Sequence, residues 1–260
     1  DLEQPSVWKA NLAFDMELPP LPVVGQLVAG FEWLHTKTES GIYYQQMNLG
    51  APTARGTDGR PLYYTPQTYN QACWTGSNFS TTGTACAGGR QRALSNASFN
   101  NAFLARRTSQ GGGDSVTLSI GQPSMAGLSW NLAYTRASMK EVSPLTSSTS
   151  SSNFGNRQIF DPNGEVLQNS HYLVKDRVSA ALSYSKAFVG KYRTTFGMFY
   201  EGRKGKPYSW TYINDMNGDQ VGGNDLMYIP SRPGSGEVVF RGGATEEARF
   251  WEIVDANPAL

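Results

Sequence analysis

Apolar and polar residues alternate with a period of two through most of the chain. From Trp8 the even positions read Trp8, Ala10, Leu12, Phe14, Met16 and Leu18, and the odd ones Lys9, Asn11, Ala13, Asp15 and Glu17. Successive side chains of a strand point to opposite faces, so this pattern predicts a strand with one apolar and one polar face. After a Pro-rich turn near residues 19–24, Leu27, Ala29, Phe31 and Trp33 continue on one face. Val116, Leu118 and Ile120 alternate with Ser115, Thr117, Ser119 and Gly121. Beyond a Gln-Pro-Ser-Met-Ala-Gly turn, Leu128, Trp130, Leu132 and Tyr134 alternate with Ser129, Asn131, Ala133 and Thr135. A third pair opposes Val178, Ala180, Leu182 and Tyr184 to small, mostly hydroxylic residues. It turns at Val189-Gly190 and returns through Phe196, Met198 and Tyr200. These are three hairpins, or six strands.

The connections are uneven. Turns within hairpins are short, whereas residues 40–113 and 143–175 form long loops between hairpins. Ser143 to Ser152 is rich in Ser and Thr and reads as a flexible, solvated loop tip. The triplet Gly111-Gly112-Gly113 reads as a bulge or bend where a strand ends. Helical periodicity is confined to Thr245–Asp255, where Phe250, Trp251 and Val254 share a face behind Glu246 and Glu247.

Alternation alone fits two all-β architectures. In a soluble sandwich the apolar face points into a core; in an outer-membrane barrel it meets lipid and the polar face lines the lumen. Long strands, short turns alternating with long loops and a hydroxylic polar face favour the barrel. So do the aromatics placed near expected strand ends, namely Trp8, Phe188, Tyr192, Tyr200, Tyr208 and Trp210. The expected fold is a section of an antiparallel transmembrane β-barrel, with about six strands, short periplasmic turns and long extracellular loops. Barrels of this kind have eight strands or more, and an open sheet edge in lipid is costly. The section therefore belongs to a larger barrel or closes by oligomerisation. The start at Asp1, with no charged-then-apolar leader, fits a piece of a longer protein.

Composition narrows the function. Charged residues make up 17% of the 260 residues and the net charge is +1, so no basic field exists to hold nucleic acid. Mean hydropathy is −0.43, and the longest nearly apolar stretch is broken by Pro19, Pro20, Pro22 and Glu32, so no helix is expected to span a bilayer. Only two histidines occur, His35 and His171, in no metal-ligand spacing and with no nucleophile motif nearby. Ala87-Gly88-Gly89-Arg90 lacks the Lys-Ser/Thr of a phosphate loop. No enzyme activity is expected.

Several features are candidate sites. Cys73 and Cys86 lie 13 positions apart in a loop-like segment; they pair in an oxidising compartment or stand as two free thiols. Asp215, Asn217 and Asp219 place oxygens at alternate positions, and Asn214, Asn224 and Asp225 add more. Calcium loops use this spacing. Gln220 replaces the Gly and Leu226 the Glu of an EF-hand, so an Asn/Asp turn held by side-chain-to-backbone bonds stays open as the other reading. Arg90, Arg92, Arg106 and Arg107 form either a contact for anionic sugar or lipopolysaccharide phosphate, or scattered loop charge. Tyr43, Tyr44, Tyr63 and Tyr64 are candidates for stacking on a ligand, with Tyr43 and Tyr44 also reading as strand residues.

Four segments carry a family resemblance. Pro5 to Leu18, Gly41-Ile-Tyr-Tyr-Gln-Gln-Met-Asn-Leu-Gly-Ala-Pro52 and Ser170 to Tyr184 resemble stretches of the Oar-like TonB-dependent outer-membrane receptors. The most specific match is Gly205-Lys-Pro-Tyr-Ser followed by Asn214-Asp-Met-Asn-Gly-Asp and Asn224-Asp-Leu-Met-Tyr-Ile-Pro230. The resemblance runs from about residue 5 to 260. It implies a Gram-negative outer-membrane transporter of about 22 strands, with a plug domain and an N-terminal box that engages TonB. Residues 1–260 correspond to part of the barrel domain and carry neither plug nor box. The implied partners are outer-membrane lipid and lipopolysaccharide, with TonB reached only through the missing N-terminal region. The expected role is to form wall and external loops for energy-coupled passage of a substrate. A surface adhesion protein and a soluble carbohydrate-binding β-sandwich are the alternatives.

Overall fold

The computed structural model describes residues 2–22, 24–75, 78–258 and 260. It is mostly antiparallel β-sheet and divides into two compact units.

The first unit comprises Asp1–Tyr43, Ala105–Leu145 and Leu167–Tyr208. Its sheet has six long strands: β1 (Ser6–Leu21), β2 (Gly25–Gln46, whose end passes into the second unit), β3 (Gly111–Met125), β4 (Leu128–Glu141), β5 (Asp176–Val189) and β6 (Tyr192–Arg203). They lie side by side in chain order, each antiparallel to its neighbours. Two short strands, Phe103–Thr108 and Gln168–Asn169, pair with β2 and β4.

The turns explain how the hairpins close. Between β3 and β4 only Ala126 and Gly127 intervene, with φ of 52° and 86°. Positive φ at both positions is the two-residue turn whose twist matches that of paired strands. Gly190 turns β5 into β6 with φ of 53°. Gly111–Gly113 stand at a strand end, where the sequence placed them: they open β3, with φ of 128° and 131° at Gly111 and Gly112, and Gly112 and Gly113 pair with both β2 and β4. A Cβ on Gly113 would stand 2.0 Å from the Ser138 carbonyl oxygen, so only glycine admits the neighbouring strand at that distance.

Register lines the faces up across the sheet. Phe14, Phe31, Leu118, Tyr134 and Val178 stand opposite one another in sequence, as do Met16, Ala29, Ile120, Leu132, Ala180 and Tyr200. The opposite face runs Asp15, Gly30, Ser119, Ala133, Ser179 and Glu201, and Thr117 and Thr135 bond through their hydroxyls at 2.9 Å.

The second unit comprises Tyr44–Leu104, Thr146–Val166 and Ser209–Leu260. It contains short strand pairs (Ala54–Arg55 with Pro61–Leu62, Trp74–Thr75 with Asn78–Phe79), α1 (Ser150–Gly155) and α2 (Ala244–Asp255). Its core is largely polar: Gln46, Asn48, Arg60, Asn153, Arg157, Asp219, Asn224 and Asp225 are all buried beside Tyr63, Tyr64 and Phe154. Buried loop backbone must find partners, and with few strands here the side chains supply them. Asn48 Nδ2 serves the carbonyls of Asn96, Phe99 and Asn100, and Arg157 those of Pro162 and Gly164. Cys73 and Cys86 are joined by a disulfide, Cα to Cα 5.5 Å.

Two expectations are corrected here. The stretch Ser143–Ser152 is not wholly a flexible tip: Ser148, Thr149, Ser151 and Ser152 are exposed, but Ser150–Ser152 form the first turn of α1. Tyr208 and Trp210 fall beyond the end of β6 rather than at a strand end.

Candidate functional site

Two features stand out: the apolar face of the sheet and the loop from Asp215 to Asp225.

The apolar face is exposed across all six strands. Leu12 and Phe14 of β1, Phe31 and Trp33 of β2, Leu118 of β3, Leu132 and Tyr134 of β4, Leu182 of β5, and Phe196, Met198 and Tyr200 of β6 are all open, with Phe14 at 60% and Met198 at 64%. Single exposed apolar residues are ordinary, but a contiguous apolar face of this extent marks a surface made to be covered. Within this unit the described residues form one sheet and no helix, so no second layer packs on it.

Polar pairs bound the band. Toward the long loops, His35 Nδ1 meets Asp114 Oδ1 at 2.8 Å, and Asp176 takes Lys204 at 2.8 Å and Arg136 at 3.5 Å. Trp8, Trp33 and His35 cluster at that level. Toward the tight turns, Trp130 donates its indole N–H to Gln122 at 2.9 Å. Phe188 lies against Tyr184 and Phe196, with Tyr192 exposed beside the turn. The polar face carries a shallow depression of about 450 Å³, lined in part by Asp15, Ser119, Asn131 and Ser183.

The Asp215–Asp225 loop is built from side-chain acceptors. Gly218 N–H donates to Asp215 Oδ1 at 2.7 Å and Gln220 N–H to Asp215 Oδ2 at 3.0 Å. Asp219 N–H donates to Asn217 Oδ1, and Val221 N–H to Asp219 Oδ1. Asp225 Oδ2 accepts from Met216 and Asn217 N–H, closing the loop on itself. These are the side-chain-to-backbone bonds of Asn/Asp turns. Gln220 takes the positive φ, 77°, at the position where an EF-hand has glycine.

Arg92 reaches Asp215 Oδ2 through Nε at 2.8 Å, and Arg92 and Arg90 both lie over the Tyr64 ring. Tyr64 donates its hydroxyl to the Asp215 carbonyl at 2.6 Å. Arg60 donates to the Leu226 carbonyl and pairs with Asp58. Asp219 and Asn224 are fully buried, and both Asn217 and Asn224 donate side-chain N–H to Asp219 Oδ2, at 3.1 and 2.9 Å. Burial, then the nearby charges of Asp225 and Asp215, pushes the Asp219 carboxyl up to about 7. Burial likewise raises Asp225 to about 6, against the two N–H groups it accepts. Tyr63 is pushed up to about 12 by burial and by Asp161 and Asp219.

Five of the six residues proposed from sequence as oxygen donors, Asp215, Asn217, Asp219, Asn224 and Asp225, are thus drawn into one buried cluster, while Asn214 is exposed. Asp215 is the exception in role, since its carboxylate is committed to Arg92. Among the described residues no three His, Cys, Asp or Glu side chains converge to hold a metal ion; a cation here would also draw on the Asn amides. Tyr63 and Tyr64 are core residues, so they are not open to stack on a ligand; Tyr43 lies in β2 and is buried too. The basic cluster divides: Arg90 and Arg92 belong to the second unit, while Arg106 and Arg107 belong to the first, where Arg107 pairs with Glu3 at 2.9 Å. Sequence spacing did not reveal Arg60 or Arg92 as parts of the loop core, because Leu226 and Asp215, which they reach, are far along the chain.

No protein-family model, curated protein or solved structure matches the chain.

Proposed function

We propose that this chain is a wall section of a Gram-negative outer-membrane β-barrel transporter, with the second unit built from its long external loops. The observation that carries the reading is the exposed apolar face running across six strands, opposite a polar face that is small and hydroxylic on β3–β5 and charged on β1, β2 and β6. In lipid that face is satisfied and the polar face lines water. A soluble sandwich needs a second layer on the apolar face, and the sheet unit supplies none among its described residues.

The topology fits the same reading. Every tight turn leaves one end of the sheet, and every long connection leaves the other. Outer-membrane barrels are asymmetric in this way, with short periplasmic turns and long external loops. β1 and β6 end the sheet, and free strand edges are not tolerated in hydrocarbon. Further strands therefore close the wall. Energy coupling through TonB and passage of a substrate enter from the Oar-like resemblance, by way of segments outside these residues.

The test is fractionation in a Gram-negative host followed by carbonate extraction. The expected result is recovery in the outer-membrane fraction, resistant to carbonate and released by detergent. A monodisperse protein in detergent-free buffer would overturn the reading.

A further inference from the structure

The loop cluster holds one atom that its own hydrogen bonds do not explain. The Asn224 side chain is fully buried, and its Nδ2 lies 2.9 Å from Asp219 Oδ2, yet its Oδ1 has no hydrogen-bond partner among the described residues. A buried acceptor left without a donor costs the full desolvation of its oxygen. Beside it stands the Asp219 carboxylate, also fully buried, with no Lys or Arg bonded to it among the described residues. Arg92 is committed to Asp215 and Arg60 to Asp58.

We infer that Asn217, Asp219, Asn224 and Asp225 form a calcium site that locks the loop unit. The donor set is all oxygen, two carboxylates and two amide carbonyls, which is the set that a hard cation of calcium's size accepts and zinc does not favour. A cation beside Asn224 Oδ1 satisfies that lone pair and the Asp219 charge together. Asp215 is a positioning residue: its carboxylate holds the Gly218 and Gln220 N–H groups and is itself anchored by Arg92. Because Asp225 joins the Ile159 strand bridge and Tyr63 N–H bonds the Asn217 carbonyl, an ion here ties together the three chain segments of the unit. The inference concerns the loop unit alone and stands whether or not the sheet lies in lipid.

The test is calorimetric titration of CaCl2 into the detergent-solubilised full chain, with thermal melts in EGTA, CaCl2 and MgCl2. Extracellular calcium modules bind with Kd of roughly 0.1–1 mM, and this range is expected here. Calcium, not magnesium, is expected to raise the melting temperature. Asp219→Asn removes a ligand charge while keeping its shape: it is expected to lose at least about tenfold in calcium affinity while melting in EGTA no lower than the parent. Asn224→Asp tests the opposite direction. Placed against Asp219, the new charge lowers the melting temperature in EGTA, and calcium restores it, giving a larger calcium shift than in the parent. A parent protein that shows no calcium heat or melting shift up to millimolar concentration overturns the inference. So does an Asp219→Asn variant that binds as the parent does, or an Asn224→Asp variant destabilised equally with and without calcium.

Discussion

Asp58 and Arg60 show how the second unit uses single residues. Burial pushes the Asp58 carboxyl up, but hydrogen bonds and charge from Arg60, with Nη2 at 2.6 Å, outweigh it and hold the group below its ordinary value. A carboxylate depressed in the folded state stabilises above the unfolded pKa and loses that stability as pH falls through the folded one. The expected outcome is that thermal stability of the parent falls more steeply from pH 6 to pH 3 than that of Asp58→Asn, measured in detergent. Asp219 and Asp225 shift upward, the opposite sense, but they are common to both proteins and cancel in the comparison. At this scale the sequence was partly legible. The Asn/Asp spacing from 215 to 225 announced a side-chain-built loop, because such bonds are local. Arg92 on Asp215 and Arg60 on the Leu226 carbonyl were not legible, because each joins residues more than a hundred positions apart.

Hairpins carry the first unit, and their two faces make opposite demands. Leu118 lies mid-strand in β3, 54% exposed on the apolar face, between Phe31 and Tyr134. Thr117, its neighbour, lies on the polar face opposite Glu32. Leu118→Arg is expected to cost about 2–4 kcal/mol of stability in a bilayer, the scale for a cation on the lipid face at mid-depth. Thr117→Arg, beside an acidic partner, loses the hydroxyl bond to Thr135 and is expected to cost about 1 kcal/mol. Urea unfolding of the chain in lipid vesicles separates the two; equal costs would contradict the assignment of faces. All six long strands were legible from period-two alternation, since each has one apolar face. α1 was not, because six residues hold fewer than two turns and its Ser-rich opening carries no period. The continuation of β2 was legible as far as Tyr43 and Tyr44, which read as strand residues; the boundary at Gln46 was not, because Gln45 and Gln46 carry no alternation.

The whole chain combines an open sheet with a disulfide-stapled loop unit. The Cys73–Cys86 bond closes a loop of 13 positions, worth about 3 kcal/mol in chain entropy. Reduction is expected to expose residues 74–92 to protease while the sheet stays protected, read by limited proteolysis with and without reductant. Strand order and chain reversal were legible in the sequence. What each face touches was not, because the same alternation serves a sandwich and a lipid-facing wall. That question is settled most directly by a spin-label scan along β4. Single cysteines are placed from Leu128 to Tyr134 in the protein in a bilayer, and the accessibility of each label to oxygen and to a water-soluble nickel complex is read. The account predicts a period of two: labels at Leu128, Trp130, Leu132 and Tyr134 reach oxygen, and labels at Ser129, Asn131 and Ala133 reach nickel. Nickel access at the even positions, or no alternation, would contradict it.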